Sequence, residues 1–436
     1  MASNIEKLNE EDIIKMLNLD LEKIKMVNTY EKSDRLGGLI FNVIERCNLA
    51  CSYCMVSKGT YDSENSKIQM TEDDCIKTFM AILDKYEEGV SLICFFGGEP
   101  MLNYKTIKAT VNRVNEICEE KDIVPPKYSI ITNGTIMNEQ IIDFFNLHNI
   151  SISVSIDGLK EFHDSARVFI NGQGSFDKIE ENLTLLKEYG RDFPLYAECT
   201  IHKKHLQGKE DLRVWGYHYT EQLYDLGFDT VYIFPVDSKD PEYSVEDQGI
   251  LGDLAEFYKG IYDYYMDLLL DSDMKAMPPA HFLGVFINLI TKRYNRFCRA
   301  GYGTVFTNPE GEFYPCHLFY QRRHHPIGNV NGGLDLSDDK LEYLKRENNR
   351  NHITECKKCV NNKLCFLWCA GSSLISNGVI NSVIKSRCFI VDFTIDYVIK
   401  RLLLLKKNES KMEVFNKNIR KCSAYFKRGK QSVVCK

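Results

Sequence analysis

Between residues 38 and 236, short apolar segments alternate with longer segments of helical periodicity, and this alternation constrains the fold more than any other feature. The apolar segments are rich in β-branched and aromatic residues and cover residues 39–44, 90–96, 127–132, 150–156, 194–201 and 229–236. The helical segments between them cover residues 71–86, 105–119, 138–147, 176–189 and 211–226. Buried strands that alternate with helices are typical of a parallel sheet with crossover helices. The sequence therefore predicts an α/β fold whose ligand site lies at the carboxyl ends of the strands.

Composition and charge exclude several classes of protein. The 436 residues are 44% hydrophobic and 27% charged, which is typical of a folded protein with a large core. The net charge of −6 provides no basic field for nucleic acid. The aliphatic run at residues 402–405 is too short to cross a bilayer, and the N-terminus lacks the apolar core of a secretory signal. We therefore expect a cytoplasmic protein with neither a nucleic-acid nor a membrane partner.

Sixteen cysteines are more than a protein in a reducing compartment needs for structure, so their spacing indicates metal binding or redox chemistry. Cys47, Cys51 and Cys54 directly follow the first predicted strand with the spacing C-x3-C-x2-C. Four thiolates complete an iron–sulfur cube, whereas three leave one iron open to bind a substrate or a cofactor. A zinc loop or three unrelated thiols are the alternatives for such a short motif.

This motif resembles that of the radical S-adenosylmethionine (SAM) superfamily, in which three cysteines hold a [4Fe–4S] cluster whose open iron binds SAM. The turn Gly97-Gly98-Glu99-Pro100 after the second predicted strand resembles the family's turn for the methionyl ammonium. The resemblance implies further SAM contacts from Tyr53, Asn133, Ser155, Asp157 and Arg167. Arg167 would pair with the methionyl carboxylate, and a surface salt bridge with Asp164 is the alternative. The fold implied is a partial (β/α)6 barrel similar to a TIM barrel.

A second group of cysteines follows in the last third of the chain: Cys298, Cys316, Cys356, Cys359, Cys365, Cys369 and Cys388. Their order resembles the loop-rich SPASM domain, which carries auxiliary [4Fe–4S] clusters in many radical SAM enzymes. The resemblance implies an outer cluster held by Cys356, Cys359, Cys365 and Cys388, and an inner cluster held by Cys298, Cys316 and Cys369. The fourth ligand of the inner cluster is either absent or supplied by Cys422 or Cys435. A zinc ribbon, the alternative, would leave three of the seven cysteines without a role.

The resemblance implies a reaction in which SAM is reductively cleaved and a 5′-deoxyadenosyl radical abstracts hydrogen from a substrate carbon. Because enzymes of this layout usually modify peptides, the first hypothesis is a maturase of a ribosomally made peptide. An open inner cluster favours a thioether over a carbon–carbon crosslink. The second hypothesis is a sulfatase maturase that forms formylglycine, although that group has an aspartate base where this chain has His317, and an additional cysteine that this chain lacks. His317 is the candidate base. A non-catalytic electron-transfer protein is the third hypothesis, and it leaves the Gly-Gly-Glu-Pro turn unexplained.

The sequence divides into four predicted segments. These are a short helical segment (residues 1–37), the radical SAM core (38–240), bridging helices (241–296), and the SPASM domain with a C-terminal helix and a basic tail (297–436). The first segment is too short for a winged-helix leader-binding domain, so a separate protein, the N-terminal helices or the basic tail would capture the leader of the peptide. The resemblance also implies a precursor peptide as substrate, a reductant such as flavodoxin or ferredoxin, and three [4Fe–4S] clusters in total.

Overall fold

A ten-stranded sheet forms the centre of the computed structural model. The structure describes residues 25–27, 33–62, 67–238, 240–291, 293–295, 300–301, 303–335, 337–347 and 349–427. Cys298, Cys435 and the predicted helices within residues 1–24 lie outside these ranges. The described strands are β1 (Lys25–Val27), β2 (Gly38–Ile44), β3 (Leu92–Gly97), β4 (Lys127–Thr132), β5 (Ser151–Ser155), β6 (Leu195–Ile201), β7 (Thr230–Pro235), β8 (Arg293–Asn295), β9 (Thr304–Thr307), β10 (Glu312–Tyr314), β11 (Gly328–Asn329) and β12 (Gly333–Leu334).

Strands β2 to β7 lie side by side in chain order and run parallel. Every residue of β2 and of β6 is buried, because helices cover one face of the sheet and side chains fill the inside of the curve. The six predicted strands are therefore confirmed to within two residues at each end. The predicted α/β class with a partial barrel core is confirmed as well.

Helices connect these strands and continue after them. The described α-helices are α1 (Glu72–Leu83), α2 (Tyr104–Glu120), α3 (Glu139–His148), α4 (Lys160–Asp164), α5 (Phe176–Tyr189), α6 (Leu212–Asp225), α7 (Gln248–Leu270), α8 (Ala280–Thr291), α9 (His317–Gln321), α10 (Asp338–Glu347), α11 (Thr354–Lys358), α12 (Ala370–Asn377), α13 (Lys385–Leu405) and α14 (Glu409–Lys427). Polar caps fix where the crossover helices begin. Thr71 and Asp74 form a capping box at α1, and the Asn138 side chain accepts from the Ile141 amide at α3.

The part of the chain from residue 297 onward, which carries the second group of cysteines, is the cysteine-rich region. It contributes four further strands, β9 to β12, to the same sheet. β9 pairs in parallel with β2, with Gly38 opposite Thr304 and Phe41 opposite Thr307. β10, β11 and β12 then follow as antiparallel neighbours. The predicted C-terminal segment thus shares a sheet with the predicted core, which brings its cysteines towards the loop that follows β2.

The opposite end of the sheet is β7, and side-chain hydroxyls occupy its outer edge. Tyr258 and Tyr265, both on α7, donate to the carbonyl oxygens of Ile233 and Val231 at 3.1 and 2.8 Å. Backbone groups that a further strand would otherwise use are thereby satisfied within the chain.

Long helices join the end of the chain to the outside of the barrel. Asp263 on α7 accepts from Arg213 Nε on α6 at 2.6 Å and from the Tyr397 hydroxyl on α13 at 2.6 Å, and it also pairs with Arg401. On α14, the Asn418 side chain donates to the carbonyl of Leu269 at 3.1 Å. The predicted C-terminal helix is α13, and a further helix, α14, occupies much of the predicted basic tail.

One short segment near the N-terminus has a different secondary structure from the predicted one. Lys25–Val27, in a segment predicted to be helical, is a strand that pairs in parallel with Arg293–Asn295. None of the helices within the described ranges combines the length and apolar character needed to span a bilayer.

Candidate active site

A cavity of about 580 Å³ lies at the carboxyl ends of the parallel strands. Its wall is built both from the loops that follow these strands and from the cysteine-rich region. Ten of the predicted site residues line it: Cys47, Cys51, Tyr53, Cys54, Gly97, Gly98, Asn133, Ser155, Arg167 and His317. Glu99 and Asp157 are fully buried, and both hydrogen-bond or ion-pair with residues of the wall.

The loop after β2 carries the three cysteines of the first motif. Cys47, Cys51 and Cys54 are all partly exposed and lie close enough for their charges to interact. Burial raises the pKa of Cys47 to about 12 and that of Cys51 to about 11, so these thiols would stay protonated without a bound cation. No three His, Cys, Asp or Glu side chains of the described ranges converge as they would around one metal ion. A four-iron cluster distributes its thiolates over separate irons, so the donor set and spacing of this loop fit such a cluster.

The turn after β3 packs tightly against the start of the cysteine loop. The Gly98 amide donates to the carbonyl of Ile44 at 2.8 Å, and the Glu99 amide donates to that of Arg46 at 2.9 Å. A Cβ atom at Gly98 would lie 2.3 Å from the Arg46 carbonyl oxygen. Only glycine permits this approach of two backbones, because any side chain would push the cysteine loop away.

Replacing Gly98 by alanine is therefore expected to displace the cysteine loop and to cost about 1–3 kcal/mol of stability. Iron content after anaerobic reconstitution and the thermal unfolding midpoint would measure both effects. Gly252→Ala on α7 is the matched control, because a Cβ atom there would meet nothing within 4 Å. Equal iron content in the two variants would contradict the expectation.

Glu99 ties the ends of β3 and β4 together behind this turn. Its carboxylate accepts from the Thr132 hydroxyl at 2.6 Å, the Asn133 amide at 2.7 Å and the Met101 amide at 3.0 Å. Burial raises the pKa of Glu99 to about 7, although these three donors act in the opposite direction. Glu99 thus fixes the position of Asn133, which faces the cavity.

Arg167 is paired inside the protein. Its Nε lies 2.9 Å from Asp157 Oδ2, and its guanidinium lies over the Tyr53 ring at 5.4 Å from the centroid. Asp157 also accepts from the Tyr53 hydroxyl and, at 3.0 Å, from the Thr200 amide. Burial opposes the charge of Asp157, but Arg167 holds the pKa of that carboxyl well below its usual range.

This pairing differs from the alternative considered for Arg167 in the sequence. Asp164 instead accepts from the Phe176 amide at 2.9 Å and so caps α5. Arg167 is 8% exposed and lines the cavity, so its ion pair with Asp157 leaves it within reach of a bound molecule.

Four cysteines of the second group come together near α11 and the start of α13. The pKa of Cys388 is raised to about 12, first by burial and then by the neighbouring thiols of Cys365 and Cys356. Cys359 also lies close enough to Cys356 to affect its pKa. The four residues predicted to bind the outer cluster are therefore neighbours, and their thiol chemistry fits that group.

The residues predicted for the inner cluster are less completely described. Cys316 and Cys369 directly precede α9 and α12, two short helices that touch where Gly371 packs on Leu318. Cys298 and Cys435 lie outside the described residues. Cys422, one option for a fourth ligand, is fully buried in the hydrophobic core on α14.

Helix α9 attaches the cysteine-rich region to the first cysteine loop. The Gln321 side chain donates to the carbonyl of Met55, and the Tyr320 hydroxyl donates to Glu45 in the loop after β2. His317 at the start of α9 is 3% exposed, and its ring centroid lies 5.1 Å from that of Phe96. The two cysteine groups are thus held against each other through a helix of five residues.

The cavity also contains residues that the sequence did not single out. These are Glu198, Tyr232, Phe234, Asp237, His281, Phe366, Trp368 and Arg387. For two of them a signal existed, because Trp368 and Arg387 directly precede predicted cysteine ligands. His281 has no such neighbour, and only the packing of α8 against β7 brings it into the wall.

Comparisons with known proteins agree with this geometry. Residues 41–203 match the model of the Radical SAM superfamily. The chain is 25% identical over 339 residues to a cysteine-type anaerobic sulfatase-maturating enzyme of Clostridium novyi, a match that covers 77% of this chain and 87% of that protein. It is 24% identical over 413 residues to the radical SAM cyclopropyl synthase TigE of Paramaledivibacter caminithermalis, which covers 88% of this chain and 77% of that protein.

Solved structures extend the similarity of fold over most of the chain. The enzyme anSMEcpe with bound AdoMet has a TM-score of 0.65 and 20% identity, with 86% of this chain and 99% of that chain covered. SuiB of Streptococcus suis bound to the precursor peptide SuiA has a TM-score of 0.55 and 16% identity, with coverage of 88% and 82%.

Proposed function

Because this chain belongs to the radical SAM superfamily and is an enzyme of the SPASM type, we propose that it is a maturase that installs a crosslink in a ribosomally made peptide. The observation that carries the proposal is the shared cavity. Its wall joins the three thiols of the first cysteine loop to aromatic residues of the cysteine-rich region. A cavity of this size accepts a side chain of a peptide and holds it next to the first loop.

We propose that Cys47, Cys51 and Cys54 hold a [4Fe–4S] cluster and that the surrounding loops bind SAM. Gly97, Gly98, Asn133, Ser155, Tyr53 and Arg167 would contact SAM from the cavity wall, with Glu99 and Asp157 holding Asn133 and Arg167 in place. Bound there, the cluster and SAM would supply a 5′-deoxyadenosyl radical for hydrogen abstraction. The protein's own part is to orient the target carbon and to keep water and other hydrogen donors away.

The cavity wall is suited to that second task, because part of it is apolar. Phe234, Phe366, Trp368 and Leu318 line it and present mainly apolar surface.

A flavodoxin or ferredoxin would supply the electron, and a separate protein, the N-terminal segment or the basic tail would hold the leader of the peptide. In this proposal residues 38–240 form the catalytic core, 241–296 the bridging helices and 297–436 the cluster-binding region.

The second cysteine group supports a thioether as the bond formed. Cys356, Cys359, Cys365 and Cys388 suffice for a fully ligated outer cluster, and their proximity supports that role. The proposed inner cluster is held by Cys298, Cys316 and Cys369, and it keeps one open iron unless Cys422 or Cys435 supplies a fourth ligand. A substrate thiolate could then complete it, which favours sulfur over carbon as the crosslinking atom.

Relatives support a peptide substrate and also a second candidate function. SuiB is known in complex with its precursor peptide SuiA, and anSMEcpe in complex with a Cp18Cys peptide, which supports a peptide substrate. The similarity to a sulfatase-maturating enzyme extends over 77% of this chain and 87% of that protein, which favours formylglycine formation as the second candidate. His317 stands at the position where the resemblance places their aspartate base, so we keep it as the candidate base in a crosslinking enzyme.

Co-expression with any short peptide found to be encoded beside the gene, followed by reaction of the purified components, tests the proposal. We expect the reconstituted protein, given dithionite and SAM, to release 5′-deoxyadenosine and to remove two hydrogen atoms from the peptide per crosslink. An aldehyde at a Cys or Ser of the peptide would instead establish the second candidate. Release of 5′-deoxyadenosine without any change in peptide mass would contradict both.

A further inference from the structure

His281, the second residue of α8, lies in the cavity wall within a cluster of aromatic rings. Its ring centroid is 4.8 Å from that of Phe234, 5.8 Å from Phe366 and 6.0 Å from Tyr232. The Nδ1 atom is inaccessible to solvent and has no hydrogen-bond partner within the described residues. Since the residue as a whole is partly exposed and lines the cavity, the exposed part is not Nδ1.

The surroundings keep this imidazole uncharged. Burial lowers the pKa of His281 to about 3, because the aromatic rings offer no solvation to an imidazolium. One nitrogen then carries the proton and the other a lone pair. A buried N–H without an acceptor is rarer than a buried lone pair without a donor, so we assign the proton to Nε2.

Two charged groups of the cavity wall, Arg387 and Asp237, are paired with each other. Arg387 donates from Nε to Asp237 at 3.2 Å and from Nη1 to the carbonyl of Leu367 at 3.2 Å. The two side chains are 14% and 4% exposed, so their charges cancel at the surface of the cavity. Glu198 on β6 also lines the cavity.

Resting on the proposed function, we propose that His281 is a specificity-determining residue. Its Nε2–H donates a hydrogen bond to the oxygen of an uncharged polar side chain of the peptide, an amide or a hydroxyl, which lies between the aromatic rings and the first cysteine loop. An apolar side chain would leave this donor unpaired in the complex. A carboxylate would lose a larger hydration free energy than an amide in order to accept from the same uncharged donor.

Three matched peptides test this inference by equilibrium dialysis against the reconstituted protein. They are acetylated and amidated Gly-Xaa-Gly tripeptides in which Xaa is Asn, Asp or Leu, side chains of nearly equal shape. We expect the Asn peptide to bind about tenfold more tightly than the other two. His281→Phe keeps the ring but removes the donor, so the preference for Asn should disappear, and His281→Gln should retain part of it.

The control is His218→Phe, which makes the same change at an exposed residue paired with Glu221, and which should leave all three affinities unchanged. Iron content verifies that each variant is folded. The inference would be overturned if the His281→Phe protein kept the preference for the Asn peptide. It would also be overturned if the unaltered protein bound the three peptides equally or bound none of them. Because dialysis requires no turnover, failure of the proposed function would show separately, as absence of 5′-deoxyadenosine or of a crosslink.

Discussion

Replacing any one of Cys47, Cys51 and Cys54 by alanine is expected to reduce the release of 5′-deoxyadenosine from SAM to background. Each of these thiols lines the cavity at the end of β2, and no other cysteine among the residues that the structure describes is part of its wall. A cluster with only two remaining protein ligands would not be retained, so iron content should fall by about four atoms per chain. Iron analysis and chromatography of the nucleoside product measure the two effects.

A matched substitution distinguishes this effect from general damage to the fold. Cys118→Ala on α2 removes a buried thiol far from the cavity and should leave iron content and nucleoside release unchanged. Full activity of a Cys51→Ala protein would show that the first loop does not hold the reactive cluster, and the proposed function would have to be abandoned.

Asp263→Ala should produce a large loss of stability at a position outside the cavity. The carboxylate on α7 contacts Arg213 on α6 and both Tyr397 and Arg401 on α13, and its removal leaves two guanidinium groups without their carboxylate partner. We expect the free energy of unfolding to fall by about 2–3 kcal/mol, the low end for a buried pair, since both arginines keep some exposure. Denaturant unfolding followed by circular dichroism measures it.

Acidification should reveal the same contacts. Burial acts against the charge of Asp263, but Arg213 and Tyr397 lower the pKa of this carboxyl below its unfolded value of about 3.9. Its contribution is therefore present above that pH and is lost as the pH falls through the folded-state value, so Asp263→Ala should lose less stability between pH 5 and pH 3. Asp267→Ala, one turn further on α7, is the control: this exposed carboxylate accepts from the Tyr217 hydroxyl, and its removal should change stability by less than about 0.5 kcal/mol.

The core of the fold could be predicted because its strands are local patterns. Lys127–Thr132 and Phe176–Tyr189 match their predicted bounds, since apolar periodicity and polar caps mark both ends. The pairing of β9 with β2 joins residues more than 260 positions apart, and no local signal specifies such a partner. Helix α14 did leave a signal, as Phe415, Ile419 and Cys422 recur at helical spacing and are buried, but the many charged residues around them obscured it.

For the candidate site, motifs predicted which residues meet, and packing decided what each one contacts. The three cysteines and the glycine turn line one cavity because both follow neighbouring parallel strands. The Asp157–Arg167 pair joins the end of β5 to a loop ten residues later, and sequence spacing favoured neither this partner nor Asp164. His281 enters the wall only through the docking of α8 on β7, so its role could not have been read from the motifs.

Hydroxyl groups of Tyr258 and Tyr265 stand where a foreign polypeptide would have to attach to the last parallel strand. The other end of the sheet finishes in strands of only two residues, which are too short to pair stably with a strand of another molecule. Ribbon-like polymerisation from molecule to molecule is thereby blocked at both ends. We accordingly expect concentrated solutions of this enzyme to stay free of fibres, even though its sheet never closes into a full circle.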